Sequence, residues 1–207
     1  IHAETVGNPV RTEIAALPPP TIRFAQRRGA PMLLVLGGSQ GARSLNTVLP
    51  GVLARLAPEQ RPRIRHQSGA QHVDSCRSAY SAAGIEARVE AFIGDMAAAL
   101  AEADLVICRA GALTLAELCA AGVGGILIPL PNSADDHQTR NAEFLVEHGA
   151  AHLVCEGEGF GLRLHDALVA LLGDAAARLR LAVAARGCAR SDAAERVALA
   201  CIAEATA

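Results

Sequence analysis

Two hydrophobic rhythms alternate along this chain. Short leucine-rich or β-branched runs occur at Met32–Leu36, Arg63–His66, Ala87–Ile93, Leu105–Cys108, Gly125–Leu130 and Ala151–Cys155. Between them lie longer stretches with apolar residues three and four apart: Ser44–Leu56, Gln71–Ala83, Met96–Ala103, Thr114–Ala121 and His137–His148. The first kind has strand length and the second helix length. Their alternation predicts an α/β domain, a Rossmann-like parallel sheet of six strands with helices on both faces. After Gly161 only the helical rhythm remains, over Leu162–Leu172, Ala175–Ala185 and Asp192–Ala205. Residues 1–30 carry Gly7-Asn8-Pro9, Pro18-Pro19-Pro20 and Arg27-Arg28-Gly29, punctuation that predicts a connecting segment poor in regular structure.

Composition narrows the chemistry. All 19 basic side chains are arginine and lysine is absent. That excludes a Schiff-base lysine and a Walker A loop. Any bound anion must be held by arginine, hydroxyls or backbone N–H groups. Aromatic residues make up 2% of the chain and the net charge is −2, so neither a base-stacking platform nor a basic footprint for nucleic acid is available. Cys76, Cys108, Cys119, Cys155, Cys188 and Cys201 contain no C-x-x-C pair. They are expected to be buried free thiols in a reducing compartment. No apolar run reaches membrane-spanning length, and no signal peptide is recognisable.

In an open parallel sheet, ligands bind beyond the carboxyl ends of the strands. The unusual residues fall in those loops. Gly37-Gly38-Ser39-Gln40-Gly41 joins a strand to a helix. It fits a phosphate cradle, with Ser39 and Gln40 beside free helix N–H groups, and it fits equally a tight turn capped by Ser39. Arg109-Ala110-Gly111-Ala112-Leu113-Thr114-Leu115-Ala116-Glu117 opens another helix. There Glu117 suits the paired hydroxyls of a ribose, or else closes a capping box with Thr114. After the fifth strand, Asp135-Asp136 precedes Gln138 and Asn141, two amides on one helix face suited to sugar hydroxyls. Asp136 is read as the helix cap rather than a metal ligand. His66 is read as a structural hydrogen-bonding group. Together these loops fit a nucleotide-diphosphate sugar better than a dinucleotide, since G-x-G-x-x-G is missing.

Six ordered motifs carry a resemblance. They are Gly7-Asn8-Pro9-Val10-Arg11, Gly37–Arg43 with Leu45-Asn46, His66–Gly69, Phe92–Met96, Arg109–Thr114 and Asp136–Ala142. Over nearly its whole length the chain resembles the C-terminal half of the MurG family, bacterial glycosyltransferases of peptidoglycan synthesis. The resemblance implies a GT-B architecture of two Rossmann-like domains facing a cleft. This chain would supply residues 1–30 as interdomain linker, 31–173 as the UDP-sugar-binding domain and 174–207 as helices packing on it or returning toward the other domain.

The same resemblance implies the activity. N-acetylglucosamine would pass from UDP-N-acetylglucosamine to the muramyl 4-hydroxyl of undecaprenyl-linked lipid I, with inversion, giving lipid II. Arg11 would belong to the donor site and Ser39 would contact the diphosphate. Ile93 would hold uracil through its backbone. Ala112, Leu113, Thr114, Leu115 and Ala116 would line phosphate and ribose, with Glu117 on the ribose hydroxyls, and Gln138 would read the sugar. Arg109, Gly111, Gln40 and Asn141 complete the expected set. No metal or cofactor is required. The catalytic base, the lipid-acceptor site and the membrane-facing patch would reside in an N-terminal domain not found here, so this chain alone would bind donor and transfer poorly. The whole enzyme would sit peripherally on the inner face of the plasma membrane. Gly124 stands where the family often has proline, which is expected to loosen the turn before the fifth strand. The rival readings are another GT-B UDP-sugar transferase acting on a glycolipid, and a nucleotide-sugar-binding module without activity.

Overall fold

The computed structural model describes residues 5–38, 42–131 and 136–205, apart from the side chain of Glu204. Six strands form one sheet: β1 (Met32–Leu36), β2 (Arg63–Gln67), β3 (Arg88–Glu90), β4 (Leu105–Cys108), β5 (Gly125–Leu127) and β6 (Ala151–Leu153). The order is β3-β2-β1-β4-β5-β6, and every pairing is parallel. The order reverses between β1 and β4, which leaves a crevice at their carboxyl ends.

The sheet is covered on both faces because its strands are apolar on both. Leu33 and Val35 of β1 and Leu105 and Ile107 of β4 enter one core. There they meet Leu49 of α3 (Arg43–Ala54), Tyr80 of α4 (Val73–Ala82) and Leu168 of α8 (Phe160–Leu172). The intervening Leu34, Leu36, Val106 and Cys108 enter the other. Their neighbours are Leu100 of α5 (Met96–Glu102), Leu118 of α6 (Ala112–Ala121) and Leu145 of α7 (His137–Glu147). Burial on both faces is what makes such strands read as unbroken apolar runs.

Three strands are shorter than their apolar runs predict. β3, β5 and β6 end at Glu90, Leu127 and Leu153 rather than at Ile93, Leu130 and Cys155. For β3 the reason is register. Glu90 pairs with Gln67, the last residue of β2, so Phe92 and Ile93 have no ladder partner. The apolar run continues because its end lines the crevice.

The segment expected to be irregular contains two helices, α1 (Thr12–Ala15) and α2 (Pro20–Ala25). Pro20 opens α2 at its first position, where no N–H is needed. Ile14 is fully buried. The buried Arg23 donates to the carbonyls of Leu100, Ala121 and Gly122, at the ends of α5 and α6. Arginine serves the same purpose elsewhere: Arg178 of α9 (Ala175–Gly187) donates to Leu171 and Leu172 at the end of α8. A planar guanidinium with five donors suits the bare carbonyls of a helix end and favours their negative pole. Burial lowers the Arg23 pKa to about 10.

Gly124 has a packing role that its sequence context does not show. Its carbonyl accepts the Val106 N–H at 3.1 Å, so the turn is held in the sheet. A Cβ there would lie 2.3 Å from Cβ of Leu181, so glycine is what allows α9 to approach. The final helix is α10 (Ala193–Ala205). The cysteines also divide: Cys76, Cys108 and Cys119 are buried as expected, but Cys155 and Cys201 are exposed.

Candidate functional site

At the β1–β4 switch point the crevice opens into a cavity of about 250 Å³. Gly37 and Gly38 follow β1 on one side, and Arg109 and Thr114 follow β4 on the other. Phe92 and Ile93 also line it, and Arg11 and Glu117 stand together at its wall.

The helix start decides how Glu117 is read. α6 begins at Ala112, with Gly111 as its cap residue and no side chain capping it. Thr114 is therefore the third helical residue rather than the cap, and the capping box with Glu117 does not form. Glycine cannot cap through a side chain, so the first-turn N–H groups of α6 have no side-chain cap. Glu117 instead accepts two hydrogen bonds from Arg11, from Nε at 3.1 Å and Nη2 at 2.7 Å, both on Oε1. Oε2 has no partner among the described residues. The Glu117 side chain is 23% exposed and the Arg11 side chain 51%, so the pair stands partly in solvent and contributes little to stability.

Other expected site residues are engaged differently. Ile93 is buried, whereas Phe92 beside it is 66% exposed at the rim. Phe92 was not singled out as a ligand residue. Its signal was an aromatic side chain just past a strand's carboxyl end, in a chain with few aromatics. Leu113 is exposed, Leu115 buried, and Ala116 lies on the far flank of α6. Gln138 accepts the Leu130 N–H at 3.0 Å, which holds its amide against the loop after β5. Asn141 donates to the Ala110 carbonyl at 3.1 Å and ties α7 to the loop before α6. Neither amide lines the switch-point cavity. Asn141 borders a larger apolar groove of about 390 Å³ between α6, α7 and residues 5–10, where few polar groups converge. Ser39, Gln40 and Asp135 lie outside the described residues.

Asp136 occupies the cap position of α7 in the left-handed region, at φ 53°. It makes no cap bond to backbone and instead accepts from the Thr139 hydroxyl at 2.6 Å, a correction to the expected backbone cap. Asp95 is a true cap, accepting the Ala98 N–H of α5 at 2.9 Å.

His66 sits on β2 with no exposed surface. Its Nδ1 is 3.0 Å from the Tyr80 hydroxyl and 3.6 Å from Cys76 Sγ. Burial lowers its pKa to about 4 and raises that of Cys76 to about 11. This is a neutral cluster inside the core, in keeping with a structural histidine.

Arg109 lines the cavity, yet much of its guanidinium is engaged. Nη1 lies 2.8 Å from Glu156 Oε1 and 3.2 Å from the Ile128 and Pro129 carbonyls, and Nη2 donates to Ser44 Oγ at 3.1 Å. Ser44 and Glu156 were not expected at the site. Only folding brings residues 44, 109 and 156 together.

Comparison with known proteins agrees with this architecture. The model of the glycosyltransferase family 28 C-terminal domain matches residues 32–197. A UDP-N-acetylglucosamine–N-acetylmuramyl-(pentapeptide) pyrophosphoryl-undecaprenol N-acetylglucosamine transferase of Xylella fastidiosa is 56% identical over 96% of this chain and 54% of its own length. The protein of that name from Acidithiobacillus ferrooxidans is 54% identical, over 97% of this chain and 56% of its own. The chain thus spans about half the length of the curated relatives it matches. The crystal structure of Acinetobacter baumannii MurG superposes with a TM-score of 0.79 at 37% identity, covering 89% of this chain and 53% of that one. The lipopolysaccharide glycosyltransferase WaaG, 15% identical with a TM-score of 0.65, shares the fold.

Proposed function

The chain belongs to glycosyltransferase family 28, and on that premise we propose that it is the donor-binding half of a MurG-type N-acetylglucosaminyltransferase. The observation that carries this reading is the placement of Glu117. It stands in the second turn of an uncapped helix, at the wall of the switch-point cavity, with Oε2 open to hydroxyl donors. A carboxylate so placed accepts from the vicinal hydroxyls of a ribose while the helix start faces the diphosphate.

In this reading Arg11 holds Glu117 in place, Ser39 contacts the diphosphate, and Gln40 belongs to the same donor-binding loop. The backbone at Ile93 takes the uracil, and Gln138 reads the sugar from α7. The acceptor's 4-hydroxyl attacks the anomeric carbon from the face opposite the nucleotide, and the bond to the diphosphate oxygen breaks as the new one forms. Negative charge grows on the departing UDP, and the free N–H groups at the α6 start would stabilise it. The base that takes the hydroxyl proton and the site for the lipid-linked acceptor belong to the half of the relatives that this chain does not match. Residues 1–30 then serve as the link between the halves, 31–173 as the donor domain and 174–207 as helices bracing it. The whole enzyme works at the inner face of the plasma membrane. No described helix is long and apolar enough to cross a membrane.

Isothermal titration of this chain with UDP-N-acetylglucosamine, UDP-glucose and UDP-galactose tests the proposal. Tightest binding is expected for the N-acetylglucosamine donor. A preference for either of the others would assign the chain to a different transferase.

A further inference from the structure

Ser44, Arg109 and Glu156 form a closed ring beside the proposed donor site. Arg109 Nη2 donates to Ser44 Oγ at 3.1 Å, the Ser44 hydroxyl donates to Glu156 Oε1, and the same oxygen faces Arg109 Nη1 at 2.8 Å. Each contact fixes the next. Because the Ser44 proton points at the carboxylate, the oxygen's lone pairs face Arg109. The Arg109 and Glu156 side chains are 19% and 17% exposed, so solvent screens the ring weakly.

The three residues come from three separate parts of the chain. Ser44 is the second residue of α3, just past the glycine-rich loop after β1. Arg109 directly follows β4 and stands two residues before Gly111, the cap position of α6. Glu156 lies beyond the end of β6, the edge strand. The Ile128 and Pro129 carbonyls, just beyond β5, accept from the same guanidinium. One cation therefore ties the start of α3 to the carboxyl ends of β4, β5 and β6.

The two helix starts that would share a diphosphate, those of α3 and α6, are not joined to each other by the sheet ladder beyond Leu36 and Cys108. We propose that Glu156, through Ser44 and Arg109, is a positioning residue that holds these two helix starts at the spacing a diphosphate requires. The inference rests on the donor-binding reading above. Its physical basis is that oriented donors act on an anion only when held within a fraction of an ångström of their places. An unpaired Glu156 would also repel the diphosphate, so pairing with Arg109 serves the site twice.

The test measures binding of UDP and of uridine to Glu156→Gln and Ser44→Ala, by calorimetry and ligand-observed NMR, together with thermal unfolding. Glu156→Gln should weaken UDP binding by about tenfold or more, as loss of fine positioning does. It should leave uridine binding unchanged and the protein folded. Ser44→Ala should shift UDP in the same direction by less, and the double variant should be no weaker than Glu156→Gln, since both act through one ring. Equal losses for UDP and uridine would reduce the ring to general support of the fold and overturn the proposal. Unchanged UDP binding would also overturn it. So would tighter binding, which would mean that Glu156 merely competes with the diphosphate for Arg109. If the unsubstituted chain binds no UDP, the donor-binding reading fails first and this inference falls with it.

Discussion

Two polar clusters stand near the carboxyl edge of this sheet and differ in a single physical respect. On β2 and α4, His66, Tyr80 and Cys76 face one another in the core, with no solvent at the histidine. At the start of α6, Glu117 and Arg11 pair at the wall of an open cavity. By residue type the first is the more catalytic in appearance, with a histidine, a thiol and a phenol in contact. Its groups are all neutral, however, because burial lowers the histidine pKa to about 4 and raises those of the thiol and the phenol. Desolvation disfavours every charged form there. The second cluster is an ion pair that water reaches, and Glu117 Oε2 keeps hydrogen-bonding capacity to spare. What qualifies a polar group for ligand binding is access and unmet capacity rather than chemical identity.

The strongest way to break that comparison is through pH. An unfolded histidine takes its proton near 6.5, whereas folded His66 does so only near 4. Between those values the unfolded chain binds more protons, so stability falls as pH is lowered. The loss should approach about 3 kcal/mol at the lower end, with no contribution from this group above pH 7. Thermal unfolding from pH 7 to pH 4 should show that slope, and His66→Gln should reduce it. A slope unchanged in the variant would mean that His66 is not sealed.

Next in size is Glu117→Ala, expected to cost about 2 kcal/mol of UDP affinity, the scale of hydrogen bonds to a charged acceptor. Its melting temperature should barely move, because the residue caps nothing and its ion pair is solvated. A lower melting temperature with unchanged affinity would turn the open cluster into a structural one. Ser39→Ala should cost on the order of 1 to 2 kcal/mol of UDP affinity, through loss of one charged hydrogen bond. Equal affinity would remove the glycine-rich loop from the diphosphate site. The smallest effect is expected from Tyr80→Phe, about 1 kcal/mol of stability from one buried hydrogen bond, with donor binding untouched. Weaker UDP binding in that variant would show that the sealed cluster communicates with the open one.

Much of the fold could be read from hydrophobic rhythm. β1 and β4 begin and end where their apolar runs do, because both of their faces are buried from Leu33 to Leu36 and from Leu105 to Cys108. The edge-side strands β3, β5 and β6 did not follow their runs. Apolar residues past a ladder's end look the same in sequence whether they pair or line a crevice. α1 and α2 were hidden by prolines and glycines, and their stability comes from contacts such as Arg23 with the ends of α5 and α6 rather than from helix propensity. Likewise, Thr114-x-x-Glu117 was compatible with two helix starts, and packing of α6 on the sheet selected Ala112.

The sequence by itself determined a doubly covered parallel sheet, because strands buried on both faces read as short unbroken apolar runs that alternate with longer stretches of helical period. It also determined which loops hold glycine, hydroxyl and carboxylate groups at the sheet's carboxyl edge, since those loops follow directly from strand order along the chain. Only the tertiary structure decided which of these groups meet. Arg11 reaches Glu117 across 106 positions, and Ser44 reaches Glu156 across 112. Contacts at such separations have no local signature. They exist because strands distant in sequence end side by side once the core has closed.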